Sequence, residues 1–259
     1  MSEAALKGRL LLVPTPLDFG VRSDDPLPDL QAALPLGVIR QAAALTHWVA
    51  ENAKTARAFL KRVDAVAPLA RPLQALSITE LPRATKGARG VSVPDLSALL
   101  GPALEGHDIG LVSEAGLPAV ADPGAALVQA AHRLGLVVTP LPGPSSLLLA
   151  LAASGLDGQS FAFVGYLPVP AAERDARIRE LEAVSRRAAQ TQLMIETPYR
   201  NPALLAALVA QLQPATRLSV SCGLTLEHGW TRSDAVAAWR ARPIKLPADI
   251  PAVFALLAQ

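Results

Sequence analysis

The stretch Asp108-Ile109-Gly110-Leu111-Val112-Ser113-Glu114-Ala115-Gly116-Leu117-Pro118-Ala119-Val120-Ala121-Asp122-Pro123-Gly124 decides how the rest of the chain is read. Ile109 to Val112 is an apolar run too short for a helix, and it breaks into a turn of small residues. That is the pattern of a buried strand. Asp122-Pro123 then predicts a helix start, with Asp as N-cap and Pro at the first helical position. Leu127, Val128, Ala131 and Leu134 follow at helical spacing, and Gly135 supplies a natural stop. Leu136-Val137-Val138 reads as the next strand. It ends in Leu141-Pro142-Gly143-Pro144-Ser145-Ser146, and a helix runs from there to Ser154-Gly155.

Working outward, Leu10 to Val13 is another short apolar run, stopped by Pro14-Thr15-Pro16. A strand is expected around His47-Trp48-Val49. A helix follows over Asn52 to Val63, with Ala53, Ala56, Phe59, Leu60 and Val63 on one face and basic residues on the other. A strand near Leu76 to Ile78 and a short helix over Pro94 to Leu104 complete this half. Strands that are apolar throughout, alternating with helices, predict a parallel sheet covered on both faces. In such sheets ligands bind beyond the carboxyl ends of the strands, where the turns at 14–17, 113–119 and 142–146 fall.

Past Gly155 the pattern changes. Phe161 to Tyr166, Thr191 to Glu196, Leu218 to Leu224 and Ala252 to Leu257 read as strands, the third with alternating character. Ala171 to Ala189, Pro202 to Leu212 and Asp234 to Trp239 read as helices. The expectation is an α/β protein of two domains, 1–144 and 145–259, with a mostly parallel sheet in the first and a mixed sheet in the second.

Composition narrows the function. The chain has 259 residues, enough for two cores. Aromatic residues are only 4%, which argues against a base-stacking surface. A formal charge of +2 does not by itself indicate a nucleic-acid partner. Lys54 to Arg62 holds four basic residues and no acid, and Arg83, Lys86 and Arg89 are also free of neighbouring acids. Both stretches can be read as solvated faces or as phosphate contacts. One cysteine, Cys222, allows no intrachain disulfide, and the four histidines are scattered without metal-site spacing. No signal core or membrane-length run is present, so a soluble, cytoplasmic protein without a membrane partner is expected. The phosphate-binding G-x-G-x-x-G and G-x-x-x-x-G-K-[ST] patterns and the G-x-S-x-G elbow are missing.

Residues 111–124 resemble the S-D-A-G-T-P-x-I-x-D-P-G signature of the tetrapyrrole methylase superfamily, in particular its ribosomal RNA branch of 16S rRNA cytidine 2′-O-methyltransferases. Further segments are similar in order. They are Leu12 to Leu17, Ala50 to Arg57 (A-E-D-T-R-x-T-R), Pro140 to Ser146 with Ala153 to Leu156, Phe163 to Pro168 (F-x-G-F-L-P) and Ile195 to Arg200 (Y-E-S-P-H-R). The resemblance implies a two-domain enzyme, usually a homodimer, with S-adenosyl-L-methionine in a cleft between the domains. It implies cofactor contacts from Leu17, Glu114, Ala115, Gly116, Ala119, Ser145, Ser146, Glu196 and Leu224. Each has a plainer reading as well. Gly116 could simply permit a turn, Ser145 and Ser146 could cap a helix, Glu114 could pair with an arginine, and Glu196 could be a surface carboxylate.

The acceptor side departs from the pattern. G-N-L-x-D-I-T is replaced by Asp18 to Asp25, A-E-D-T-R by Ala50-Glu51-Asn52-Ala53-Lys54, and E-L-T-K-x-x-E by Cys222 to His228 without the lysine. No catalytic residue is named on this basis. The resemblance points to ribose methylation of ribosomal RNA, with the small ribosomal subunit as partner. Methylation of a tetrapyrrole or other small molecule, and cofactor binding without transfer, remain as alternatives.

Overall fold

The computed structural model describes residues 6–18, 27–82 and 95–258, which group into two compact units meeting in sequence at Pro144 and Ser145. In the first unit, strands β1 (Arg9–Val13), β2 (His47–Ala50), β3 (Ser77–Glu80), β4 (Ile109–Val112) and β5 (Val137–Pro140) form one sheet. Its order is β3-β2-β4-β1-β5, and every pairing is parallel. Each connection therefore has to cross over the sheet, and helices α1 (Leu36–Ala44), α2 (Ala53–Val66), α3 (Gly101–Leu104) and α4 (Ala125–Arg133) lie in those connections.

Both faces are buried, and the two-residue period of a strand distributes the side chains between them. Leu11, Val13, Trp48, Ala50 and Val112 pack with Ile39, Phe59, Leu60 and Val63 of α1 and α2. Leu10, Val49, Ile109 and Leu111 pack with Ala103, Leu127, Ala130 and Ala131 of α3 and α4. This explains why the strands are apolar at every position. Helix α2 is capped by the Asn52 side chain, which accepts from Lys54 N at 2.9 Å.

One expectation needs correction. The helix after β4 starts at Ala125, not at Asp122, and Asp122 does not cap it. Gly116, Ala119, Ala121 and Gly124 all have positive φ, a left-handed backbone that cannot continue into a right-handed helix. Gly124 is required where it stands, because a Cβ there would lie 2.9 Å from Leu111 Cδ2.

The second unit holds α5 (Ser146–Ser154), β6 (Phe161–Tyr166), α6 (Ala171–Ala188), β7 (Thr191–Ile195), α7 (Asn201–Gln211), β8 (Arg217–Cys222), β9 (Trp230–Ala235), α8 (Val236–Ala241) and β10 (Ala252–Leu257). The sheet order is β6-β7-β10-β8-β9, with β6 and β7 parallel and the other pairs antiparallel. Helices α6, α7 and α8 cover one face through Ile178, Leu181, Leu208 and Trp239, and α5 covers the other through Leu147, Ala150 and Leu151. Because both faces are covered, β8 is buried from Leu218 to Cys222 rather than alternating. The helix expected over Asp234 to Trp239 is also shifted, to Val236–Ala241. Trp230 to Ala235 is a strand paired with β8 over its full length, and the helix begins at Val236. Among the described residues no helix is long and apolar enough to cross a membrane.

Gly110 offers a test of the packing. A Cβ there would lie 2.6 Å from ring atoms of Trp48, which is fully buried. Gly110→Ala should lower the unfolding free energy by about 1–3 kcal/mol, read as an earlier urea midpoint. A midpoint equal to the parent's would show that the indole has room to move.

Candidate functional site

Strands β4, β1 and β5 are adjacent and parallel, so the turns that follow them share one edge of the sheet. The turns lock together. Thr15 and Gly116 exchange both backbone hydrogen bonds, at 2.9 and 3.1 Å, forming a bridge beyond the sheet. A Cβ on Gly116 would meet Leu17 Cδ2 at 3.3 Å and the Pro144 carbonyl at 3.5 Å. A Cβ on Gly143 would sit 2.4 Å from Pro14 Cβ and Cγ. Gly143 is thus demanded by close approach, and Gly116 by its φ of +75°.

The same edge continues through β2. Glu51 N donates to the Val112 carbonyl at 3.1 Å, and the Glu51 carboxylate accepts from Glu114 N at 3.3 Å. Glu51, Glu114 and Asp122 influence one another electrostatically, and none of the three forms an ion pair among the described residues. Burial raises the Glu114 pKa, and the Glu51 charge adds to it. Asp122 is pushed up to about 6 by burial. The Ser113 hydroxyl partly opposes this shift, and the charges of Glu51 and Glu114 reinforce it. Among the described residues no cation pairs with these carboxylates, so their negative charge is not neutralised in place. The edge also contains an unused donor. Thr15 Oγ1 is buried without a hydrogen-bond partner.

Leu17, Glu114, Ala115, Gly116 and Ala119 all lie in these turns, on one edge of one unit. Ala119 holds a left-handed φ of 65°, which costs a residue with a Cβ roughly 1–2 kcal/mol. The suggested arginine partner of Glu114 is not seen among the described residues.

Ser145, Ser146, Glu196 and Leu224 belong to the second unit. Ser145 occupies the N-cap position of α5, yet its side chain makes no capping bond, and Ser146 is the first helical residue. Strands β7 and β8 both run antiparallel to β10, so Glu196 and Leu224 leave the second sheet by the same edge. Glu196 is buried rather than on the surface. One carboxylate oxygen accepts from Thr197 N at 2.7 Å, and the other pairs with Arg200 at 2.7 Å. Leu224 packs with the α5 cluster, between positive φ values at Gly223 and Thr225.

Sequence reasoning passed over Glu51, Asp122 and Thr15 as site residues. Glu51 follows a strand in the same parallel sheet, and that position was the available signal. Asp122 was hidden by its resemblance to a helix cap. The stretch 19–25 and the basic residues Arg83, Lys86 and Arg89 lie outside the described residues.

In a parallel sheet with both faces covered, ligands bind as a rule beyond the carboxyl edge, and here that edge carries interlocked turns and carboxylates without an ion pair among the described residues. Residues 39–232 match the family described as Tetrapyrrole (Corrin/Porphyrin) Methylases, and the chain belongs to that family. It is similar to the ribosomal RNA small subunit methyltransferase I of Mycobacterium bovis, at 34% identity over 85% of this chain and 68% of the relative. It is also similar to the protein of that name from Mesorhizobium japonicum, at 40% identity over 46% of this chain. That match spans only 40% of the Mesorhizobium protein's length. The fold is like the crystal structure of uroporphyrin-III-C-methyltransferase from Thermus thermophilus. The TM-score is 0.52, with 19% identity, over 97% of this chain and 94% of that one.

The Asp122 carboxyl gives a pH prediction. Its pKa of about 6 in the fold lies above the ordinary value of 3.8, so folding favours the protonated form. Its contribution to stability is full below about 4 and is lost as pH rises through about 6. Asp122→Asn should remove that loss. Its melting temperature should exceed the parent's at pH 8, and the difference should shrink toward pH 4. A constant difference across a calorimetric pH series would contradict this.

Proposed function

We propose that the chain is an S-adenosyl-L-methionine-dependent methyltransferase that acts on ribosomal RNA at a ribose 2′-hydroxyl. The carrying observation is the interlocked edge of the first unit, with its uncompensated carboxylates. The names of the relatives support the choice of acceptor. Residence in the cytoplasm and assembly as a homodimer belong to the same reading.

The residues fit the cofactor. A sulfonium is a cation, and Glu51, Glu114 and Asp122 supply negative charge that no cation among the described residues pairs with. Thr15 offers a buried hydroxyl without a hydrogen-bond partner among the described residues. Gly116 and Ala115 allow the backbone to approach a ligand closely. Leu17, Ala119, Ser145, Ser146, Glu196 and Leu224 complete the proposed set. Glu196 acts through the turn it holds, since its carboxylate is engaged with Thr197 and Arg200.

The cofactor supplies a methyl group already activated by positive sulfur, so the protein's work is alignment and charge. A hydroxyl acceptor must also lose a proton. Of the carboxylates on this edge, Asp122 has the basicity to hold one near neutral pH.

The direct test supplies tritiated cofactor with deproteinised small-subunit RNA or intact subunits. Label in ribose 2′-O-methyl nucleosides is expected. Label confined to a small-molecule fraction of a cell extract, with none in any ribosomal substrate, would transfer the assignment to small-molecule methylation.

A second test isolates the site. Thr15→Val removes a buried hydroxyl that has no partner, so the free protein should be as stable as the parent or more so. Cofactor affinity by calorimetry should fall about five- to tenfold, as expected for a lost hydrogen bond. Unchanged affinity would remove Thr15 from the site.

A further inference from the structure

We infer that the exposed basic face of α2 is a track for the phosphate backbone of the RNA acceptor, an inference that rests on the ribosomal RNA reading above. Lys54, Arg57 and Lys61 are all exposed, while Ala56, Phe59, Leu60 and Val63 are buried against the sheet. At 3.6 residues per turn the three cations fall within about 60° of arc and span about 10 Å of helix. That is room for two or three successive phosphates. Exposed Ala58 and Ala65 share the face and leave it open. None of the three cations forms an ion pair among the described residues. Arg62, one position on, is occupied with Asp18 at 3.0 Å and the Pro28 carbonyl at 2.9 Å.

Helix stability does not account for this arrangement. Basic residues strengthen a helix near its C-terminus or beside an acid three or four positions away. Here Lys54 and Arg57 lie in the first two turns and Lys61 just past the middle, with no acid of the helix itself in the first turn and no base in the last; the one acid at that end, Glu80 of β3, accepts from Ala53 N. Arg57 and Lys61 are like charges at i,i+4, a destabilising pair. The one acid of the helix itself, Asp64, accepts from Leu69 N at 3.0 Å and makes no ion pair with Lys61. The helix thus carries its charge in the order that weakens it, and a polyanion laid along the face would reverse that penalty. The face also begins at the right place. Lys54 stands three residues after Glu51, whose carboxylate receives the Glu114 N–H at the rim of the candidate site. A regular row of cations leading from that rim suits a strand with repeating phosphates, whereas a compact small-molecule acceptor has no use for it.

The experiment compares the full chain with Lys54→Gln, Arg57→Gln, Lys61→Gln combined. Filter binding of labelled, deproteinised small-subunit RNA is followed from about 50 to about 300 mM salt. The variant should bind at least about tenfold more weakly at moderate salt. The slope of log affinity against log salt should flatten by roughly two, since each lost phosphate contact removes about 0.7–0.9. Cofactor affinity by calorimetry should match the parent's, and the melting temperature should not fall. If the parent binds and methylates RNA while the variant shows the same affinity and slope, the track is overturned and the functional reading stands. A change confined to self-association of the chain, with RNA affinity intact, also overturns it. A parent that binds no RNA and methylates only a small molecule overturns the functional reading itself, and the track with it.

Discussion

The two-way hydrogen bond between Thr15 and Gly116 is the constraint on which the candidate site depends. It joins the turns after β1 and β4 at a point where the sheet has ended. Without it each turn would be an independent loop on a strand end. The third turn is held by exclusion, with Gly143 pressed against Pro14 so closely that no side chain could be placed there. Two glycines and one bridge therefore convert three loops into one surface. Preorganisation of this kind matters most where the bound ligand is to be aligned rather than chemically transformed by protein groups.

That surface is costly in isolation. Glu51, Glu114 and Asp122 crowd negative charge into partly buried ground, and Asp122 responds by holding its proton up to about pH 6. Ala119 and Ala121 take left-handed backbone that glycine would adopt without strain. Such features would be poor choices for stability alone, and strained or charged ground of this sort tends to collect at functional sites. The second unit shows the opposite arrangement. There Glu196 is buried too, but it accepts from Thr197 N and has Arg200 as an ion-pair partner. The contrast separates a carboxylate that organises its own turn from carboxylates that await a partner.

The first sheet was legible because burial on both faces leaves a plain signature, strands apolar at every position and closed by proline or glycine. The same signature misled in β8, where Ser219 and Ser221 suggested alternation although both are buried beneath α5. Trp230 to Ala235 carries no run of apolar residues, and only its pairing with β8 makes it a strand. Asp122-Pro123-Gly124 has every local mark of a helix start. Tertiary packing overrode it, since Gly124 has to settle against Leu111 and the chain reaches it through left-handed turns. Of the candidate site, the turn residues were readable from their position after strands. The charge relations among Glu51, Glu114 and Asp122 were not, because they depend on which strands are neighbours, and β2 lies beside β4 only in three dimensions.

Residue 52 shows how a departure from the family's pattern is absorbed. Where A-E-D-T-R has an aspartate, this chain has Asn52. Its side chain caps α2 by accepting from Lys54 N and Thr55 N, as an aspartate would. What is lost is a negative charge at the positive end of the helix dipole, directly ahead of Lys54. The loss is offset from another strand. The Glu80 carboxylate, at the end of β3, accepts from Ala53 N at 2.7 Å and so places an acid on the first turn of α2 after all. Residue 52 thus keeps its capping bonds without a charge, and the acid at the first turn of α2 comes from the neighbouring strand. With an aspartate at 52 the rim would carry one more carboxylate beside two that already disfavour each other. Asn52 therefore keeps a further carboxylate off the rim, while the first turn of α2 still has an acid beside it. The departure at residue 52 thus changes charge at the rim without costing the helix its cap.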